Sequence, residues 1–330
     1  MYLSEQHLRD LGLPAPGDPA AGPSGAAFGD GGQVRIEIPS VEGPQAMYVV
    51  LEQAAAHEVP VHRVSQGSGV WMLSDAEIAE MVTLGRERGT EVVLFVGPRA
   101  AWGAARQSLA PGGAVAAASL YGADGLAAGI DEALRAAELG VDGVLVADLG
   151  LMMVLGALKT RGVLPAGFQL KVSVSLPVAN PATARVLAEL GATSLNLPVD
   201  LPIDAIAALR RAVEVPIDMY VEASDDLGGS MRYYEIPQLV DAGAPIYLKF
   251  TARNAPSTYP SGGHLQSTVE ALSAERVRRA ALGLSMLRRY RPECRISPPR
   301  RGATTPAGDG AAPAGADARL RSTSGESQAA

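Results

Sequence analysis

Residues 170–199, LKVSVSLPVANPATARVLAELGATSLNLPV, carry in one stretch the alternation that decides the fold. LKVSVSL (170–176) alternates apolar and polar residues with the period of two that a half-buried strand requires. Asn180-Pro181 then supplies a helix cap followed by a proline in the first turn, where its missing N–H costs nothing. The helix stops at Gly191, and SLNLPV (194–199) begins the next strand.

The same unit repeats in both directions. Upstream lie VRIEIPS (34–40), VHRVSQG (61–67), VVLFVGP (92–98) and GVLVADLG (143–150); downstream lie IDMYVEA (217–223) and APIYLKF (244–250). Helical stretches separate them. Ser74 and Glu77 stand at capping-box spacing before a helix that ends at Gly89. Pro44 and Pro202 sit near the starts of two other helices, and Gly140, Gly162 and Gly243 punctuate helix ends. Strand followed by helix eight times, in about 260 residues, is the arithmetic of a (β/α)8 TIM-type barrel. An open doubly wound sheet would need edge strands, and no strand here is polar enough on both faces.

The barrel is expected over residues 33–295. Residues 1–32, with GLPAPGDPAAGPSGAAFGDGG at 12–32, and the tail 296–330 are rich in Pro, Gly, Ala and Ser and are expected to be mostly disordered, apart from a short helix near Ser4–Leu11. A net charge of −7 argues against a nucleic-acid surface. No apolar run reaches the length of a membrane span, and the first residues lack the basic-then-apolar pattern of a signal peptide, so a cytoplasmic protein is expected. Cys294 is the single cysteine, so the chain alone builds no disulfide, zinc knuckle or cysteine-bound cluster. Lysine occurs three times, at Lys159, Lys171 and Lys249, against 25 arginines. A lysine shifts its pKa on burial far more readily than an arginine, which singles these three out.

Strand alternation assigns Ile36, Ile38, Leu145, Ala147, Val172, Val174, Met219, Val221, Leu248 and Phe250 to the helix-facing side. The opposite parity turns Arg35, Glu37, Arg63, Ser65, Asp148, Lys171, Ser173, Ser175, Asp218, Tyr220, Glu222, Tyr247, Lys249 and Thr251 toward the barrel axis, joined by Asn196. Ordinary barrels fill that space with Val, Ile and Leu. Charges so buried must pair, bind a ligand or change protonation state. Arg35, Lys171 and Asp218 fall early in their strands and are expected to form a mutually satisfied network low in the barrel. Glu37, Arg63, Gln66, Asp148, Asn196, Glu222 and Lys249 are expected to converge at the C-terminal rim, where barrel enzymes keep their active sites.

Long segments follow strands three (99–123), seven (224–234) and eight (251–273), and such loops are lids or binding elements. SDDLGGSMRYY carries Asp225 and Asp226; the strand-eight loop carries Arg253 and then Ser261-Gly262-Gly263-His264 before a helix, where backbone amides could hold an anion. His264 is the histidine placed to act as acid, base or ligand. Glu37, Asp148 and Glu222 together would suit a hard ion such as Mg2+ or Mn2+.

VDGVLVADLGLMMVL (141–155), followed by LKVSVSLPVANPATARVLAELGATSLNLPVDLPIDAI (170–206), resembles the U32 peptidase family. There, a strand closing in Asp-Leu-Gly and a strand feeding an Asn-capped helix recur in this order, and the likeness spans roughly residues 34–255. It implies a barrel-type catalytic domain. Family members include collagenase-like peptidases and enzymes that hydroxylate RNA bases or quinone precursors with a cysteine-bound iron–sulfur cluster. The family's cysteines lie around and after strand seven, where this chain reads EASDDLGGSMRYYEIP (222–237), so no iron–sulfur cluster is expected. Asp148 matches the family's Asp-Leu-Gly strand end.

With the rim carboxylates as acid/base groups, the resemblance implies an enzyme of hydrolase type acting on a small polar or peptide-like substrate. Glu37, Asp148, Glu222, Lys249 and His264 are its candidate catalytic groups, and Arg63 would clamp an anionic group of the substrate. Two alternatives stand beside it. One is a lyase or aldolase using Lys249 as an imine-forming amine; the other is a non-catalytic ligand-binding barrel, or a subunit paired with a partner or with its own copies.

Overall fold

The computed structural model describes residues 4–300 apart from 17, 20, 21 and 100–116. The expected strand-three loop therefore lies largely outside the described residues, as does most of the C-terminal tail. Eight parallel strands close into a barrel in sequence order: β1 Val34–Pro39, β2 Val61–Gln66, β3 Glu91–Phe95, β4 Gly143–Val146, β5 Gln169–Val172, β6 Ser194–Asn196, β7 Ile217–Glu222 and β8 Ile246–Phe250. β8 pairs back onto β1, so no edge remains.

A short helix, α1 (Glu5–Asp10), precedes the barrel. Around it run α2 Pro44–Ala56, α3 Asp75–Arg88, α4 Gly122–Glu138, α5 Leu149–Thr160, α6 Pro181–Glu189, α7 Ile203–Ala212, α8 Ile236–Gly243 and α9 Gln266–Tyr290. Their starts follow the local chemistry read from the sequence. Ser74 and Glu77 form a reciprocal capping box, Gly89 closes α3 in the left-handed conformation, and Asn180 accepts the Thr183 amide at 2.9 Å.

The main core is the ring between strands and helices. Ile36, Ile38, Val64, Val92, Leu94, Val144, Val146, Leu170, Leu195, Met219, Val221 and Leu248 all point into it. The axis is divided. Val93, Phe95, Leu145 and Ala147, with Ala118, make an apolar patch on the β3–β4 side, while the other strands fill their share with polar and charged groups.

This corrects the expected parity of β4: Leu145 and Ala147 face the axis, and Val144 and Val146 face the helices. VLVA is apolar on both faces, so alternation had nothing to discriminate there. β5 also ends sooner than its alternation suggests. Past Val172 the chain turns, with Leu176 N–H donating to Ser173 O at 3.0 Å, and Val174 joins a mouth cluster with Val199, Tyr220 and Ala223 instead of facing a helix.

The N-terminal end of the barrel is capped by chain outside the strands. Ser24 bonds the Asp241 and Ala244 carbonyls, and Phe28 stands edge-on to Tyr247 with ring centroids 5.3 Å apart. Ile296 bridges to Val34, and the Ser297 carbonyl accepts from His62 Nε2 at 2.7 Å. No helix among the described residues is long and apolar enough to cross a membrane.

Candidate functional site

Charge fills the axis on the β1–β2–β5–β7–β8 side. Glu37 on β1 receives Arg63 Nε at 2.7 Å, Lys171 Nζ at 2.5 Å and Ser65 Oγ at 2.7 Å, and Lys249 Nζ lies 3.3 Å from its second oxygen. Asp218 on β7 receives Arg63 Nη2, Lys171 Nζ at 2.8 Å and Ser194 Oγ at 2.8 Å. All five charged groups are buried. Three cations therefore share two carboxylates.

Lys171 and Asp218 were expected lower, with Arg35. Strands in a closed barrel tilt and stagger, so position along one strand does not give height along the axis. Only Arg35 of that trio lies in the lower tier, donating to the Tyr247 hydroxyl at 3.0 Å and approaching Glu91 at 3.5 Å. Tyr247 separates the tiers, its ring 3.6 Å beneath the Arg63 guanidinium.

The electrostatics follow from this crowding. Burial favours the neutral form of Glu37, but Arg63, Lys171 and Lys249 outweigh it and hold the carboxyl well below its usual range. Arg63 loses to burial and gains more from Asp218 and Glu37, so its pKa rises. Lys171 goes the other way. Burial, reinforced by the neighbouring Arg63 charge, outweighs both carboxylates and pulls its amine down to about 7.

Above this tier stand Lys249, Tyr220 and Asn196. Lys249 Nζ sits 4.2 Å from the centroid of the Tyr220 ring. The Asn196 and Tyr220 side chains hydrogen-bond one another, and burial raises the Tyr220 pKa, keeping the phenol protonated. Asn196 is 1% exposed, and its Oδ1 has no partner among the described residues. The amide nitrogen must then serve the bond to Tyr220, which leaves the phenol proton for a further acceptor.

Glu37, Arg63, Lys249 and Asn196 thus meet as the sequence suggested; other candidates do not. Asp148 caps α5, accepting Leu151 N–H at 2.9 Å and Leu120 N–H at 3.0 Å. With the parity of β4 reversed, its strand position points outward. Glu222 is turned away by a β-bulge between Tyr220 and Glu222, which pairs Glu222 with the helix-facing Phe250. It binds the Tyr233 hydroxyl at 2.6 Å, the Arg253 amide at 2.9 Å and Arg279 of α9 at 3.1 Å.

The expected metal set of Glu37, Asp148 and Glu222 is consequently not assembled. No three His, Cys, Asp or Glu side chains among the described residues converge on a metal-sized site. Cys294, the one thiol, is tied to the opposite end of the barrel, next to the Arg295–Gln33 backbone bond, and burial pushes its pKa up to about 11. Among the described residues, the side chains fit neither a carboxylate-bound ion nor an iron–sulfur cluster.

The remaining candidates brace the mouth. Gln66 clamps the backbone of Gly69 through two bonds of 3.0 Å. Asp225 ties the β7 loop to the β8 loop by accepting from Arg253 at 2.8 Å and from the Asn254 amide at 2.5 Å; Asp226 is exposed. The Ser261 amide is already donated to Ser68 Oγ at 2.8 Å, Gly262 and Gly263 lead into a single 3-10 turn, and His264 is exposed with no hydrogen bond to the described residues. Ser261-Gly262-Gly263-His264 therefore forms no anion cradle around the axis.

Tyr259 and Arg276 are mouth residues that strand parity could not reveal. The Tyr259 hydroxyl pairs with Ser40 Oγ, and its ring lies where a Cβ on Gly67 would fall. Arg276 did leave a trace in the sequence. It occupies the apolar stripe Val269–Ser273–Arg276–Ala280–Leu284 of α9, where a charge is out of place.

An eight-stranded barrel with a charged axis is the class that this geometry defines. The model of Peptidase family U32 matches residues 114–224, the segment from before α4 to just past β7, so the U32 likeness of the chain stands. It is a divergent likeness, without the family's cluster cysteines. The solved U32 peptidase Mk0906 is 21% identical, with 59% of this chain and 72% of that one covered and a TM-score of 0.38. A fructose-1,6-biphosphate aldolase from Coccidioides immitis, itself assigned provisionally, is 10% identical over 76% of this chain and 89% of its own, with a TM-score of 0.48. A truncated 3-deoxy-D-arabino-heptulosonate 7-phosphate synthase from Thermotoga maritima is 15% identical over 80% and 89%, with a TM-score of 0.45. No curated protein sequence matches the chain.

Proposed function

We propose that the chain is a U32-like barrel enzyme whose acid–base reaction, of hydrolase type, takes place on a small polar or peptide-like substrate above the axial cluster. The observation that carries this is the imbalance of the axis: three buried cations on two carboxylates, with the Asn196 carbonyl oxygen unpartnered beside them. A fully structural network would close its bonds and its charge.

Lys249 is the amine nearest the mouth and the most loosely tied, so it meets the substrate and moves the proton. Tyr220 donates its phenol proton to the oxygen that gains charge, and Asn196 Oδ1 accepts a substrate N–H. Glu37 is saturated by its cations and positions the amines rather than accepting a proton itself. Arg63, also saturated, holds Glu37 and Asp218 apart. Hydrolysis of a panel of dipeptides and small amides by the purified chain, compared with Lys249→Met and Tyr220→Phe, tests the reading. Loss of at least a hundredfold in kcat in both variants supports it, and turnover unchanged in either refutes it.

The loose hold on Lys249 also favours a second reading, imine formation with a carbonyl substrate. Borohydride treatment with α-keto acids and aldehydes would then leave a mass adduct on Lys249, and an unmodified Lys249 across the panel removes this route.

A further inference from the structure

Arg276 projects from α9 into the C-terminal mouth. The residue is 5% exposed, yet among the described residues only one hydrogen bond holds it, from Nη1 to the Ser40 carbonyl at 2.8 Å. Its Nε has no partner, and no carboxylate among the described residues lies within ion-pair distance. The acids nearest it are engaged elsewhere or exposed. Glu42 accepts the Gly67 and Ser68 amides at 2.8 and 3.1 Å, and Asp226 faces solvent. Its charge also interacts with two phenols, Tyr259 and Tyr220.

A buried guanidinium with its Nε–H idle and no carboxylate paired to it is costly, and burial accordingly lowers its pKa. Every other arginine this deeply buried among the described residues has a carboxylate partner: Arg63 has Glu37 and Asp218, and Arg232 has Glu235. Ser40, whose carbonyl receives Arg276, also has a left-handed backbone, φ 61°, in a residue with a side chain. Strain of this kind persists where the surroundings impose it and gathers at ligand sites.

We propose that Arg276 anchors an oxyanion subsite at the mouth, which takes the carboxylate or phosphate of a small anionic substrate. The planar fork of a guanidinium matches either group through paired N–H bonds. Because the Arg276 charge is felt at Tyr220, the anion would hold the far end of a substrate whose reacting group lies over Lys249. That last step rests on the function proposed above; the binding site itself does not.

Titration of the full chain with inorganic phosphate and, separately, with glutarate, at constant ionic strength and followed by calorimetry, tests the subsite and tells the two anions apart. Saturable binding of at least one is expected, weakened tenfold or more in Arg276→Gln and unchanged in Arg288→Gln on an exposed turn of the same helix. Arg276→Met provides a check that does not depend on affinity. An uncompensated buried charge predicts a higher melting temperature than wild type in anion-free buffer and no further rise on adding phosphate. Absence of saturable binding of both anions by wild type, equal binding by Arg276→Gln, or a less stable Arg276→Met overturns the proposal. Lys249→Met separates the two readings, since it should bind the anion as wild type does even when turnover is lost.

Discussion

Replacing Asp218 by Asn should be among the most damaging single changes in this barrel, and replacing Lys171 by Met one of the mildest at a fully buried charge. Asp218 accepts from Arg63, Lys171 and Ser194, so the amide leaves three buried cations facing Glu37 alone. Removing one partner of a buried ionic set costs about 3–5 kcal/mol. For a domain of this size, that is a fall of roughly 6–20 °C in melting temperature, at about 2–4 °C per kcal/mol. Lys171→Met instead removes the surplus cation, leaves two against two, and fills the volume of the lysine stem. Its cost should be about 1 kcal/mol or less, because a well-packed apolar replacement offsets most of the lost bonding. The double variant should be more stable than Asp218→Asn alone. Urea unfolding followed by circular dichroism at pH 7.5 reads all three. Equal losses for the two single variants, or a double variant that merely adds them, would refute a charge-crowded axis.

His62 supplies a pH dependence. Its Nδ1 accepts the Ile36 amide and its Nε2 binds the Ser297 carbonyl, and burial pulls its pKa down to about 4. A folded-state value below that of the unfolded chain means stability that is present above pH 6.5 and lost as pH falls toward 4. The slope approaches 1.4 kcal/mol per unit and the total is about 3 kcal/mol. Urea midpoints between pH 7 and 4.5 should therefore fall more steeply for wild type than for His62→Gln. Asp148→Ala should cost about 1–2 kcal/mol, measured by thermal unfolding, through loss of the α5 cap and of the Leu120 amide's acceptor. Turnover per folded molecule should be unchanged, and a collapse of kcat at unchanged stability would return Asp148 to the chemistry.

The topology was legible because each local signal agreed with the next: period-two runs, the Ser74 and Asn180 caps, and glycine stops spaced for eight repeats. The charged axis was legible wherever one face of a strand was polar, as in Arg35/Glu37 or Lys171. Where the signal failed, the causes were local. β4 is apolar on both faces, so Asp148 was assigned to the wrong side. A bulge, which no alternation announces, turned Glu222 outward. Height in the barrel depends on strand stagger, which hid the companionship of Lys171 and Asp218 with Glu37. Tyr259 and Arg276 come from a loop and a helix, beyond the reach of strand parity.

With three lysines in the chain, an NMR titration of protein carrying 13C at the lysine ε-carbons yields three resonances, assigned with Lys171→Met and Lys249→Met. An axis in which three cations crowd two carboxylates requires the Lys171 amine to lose its proton near pH 7. A Lys171 signal that stays in its protonated position from pH 5 to pH 9 would contradict it, since two carboxylates would then hold all three cations without crowding.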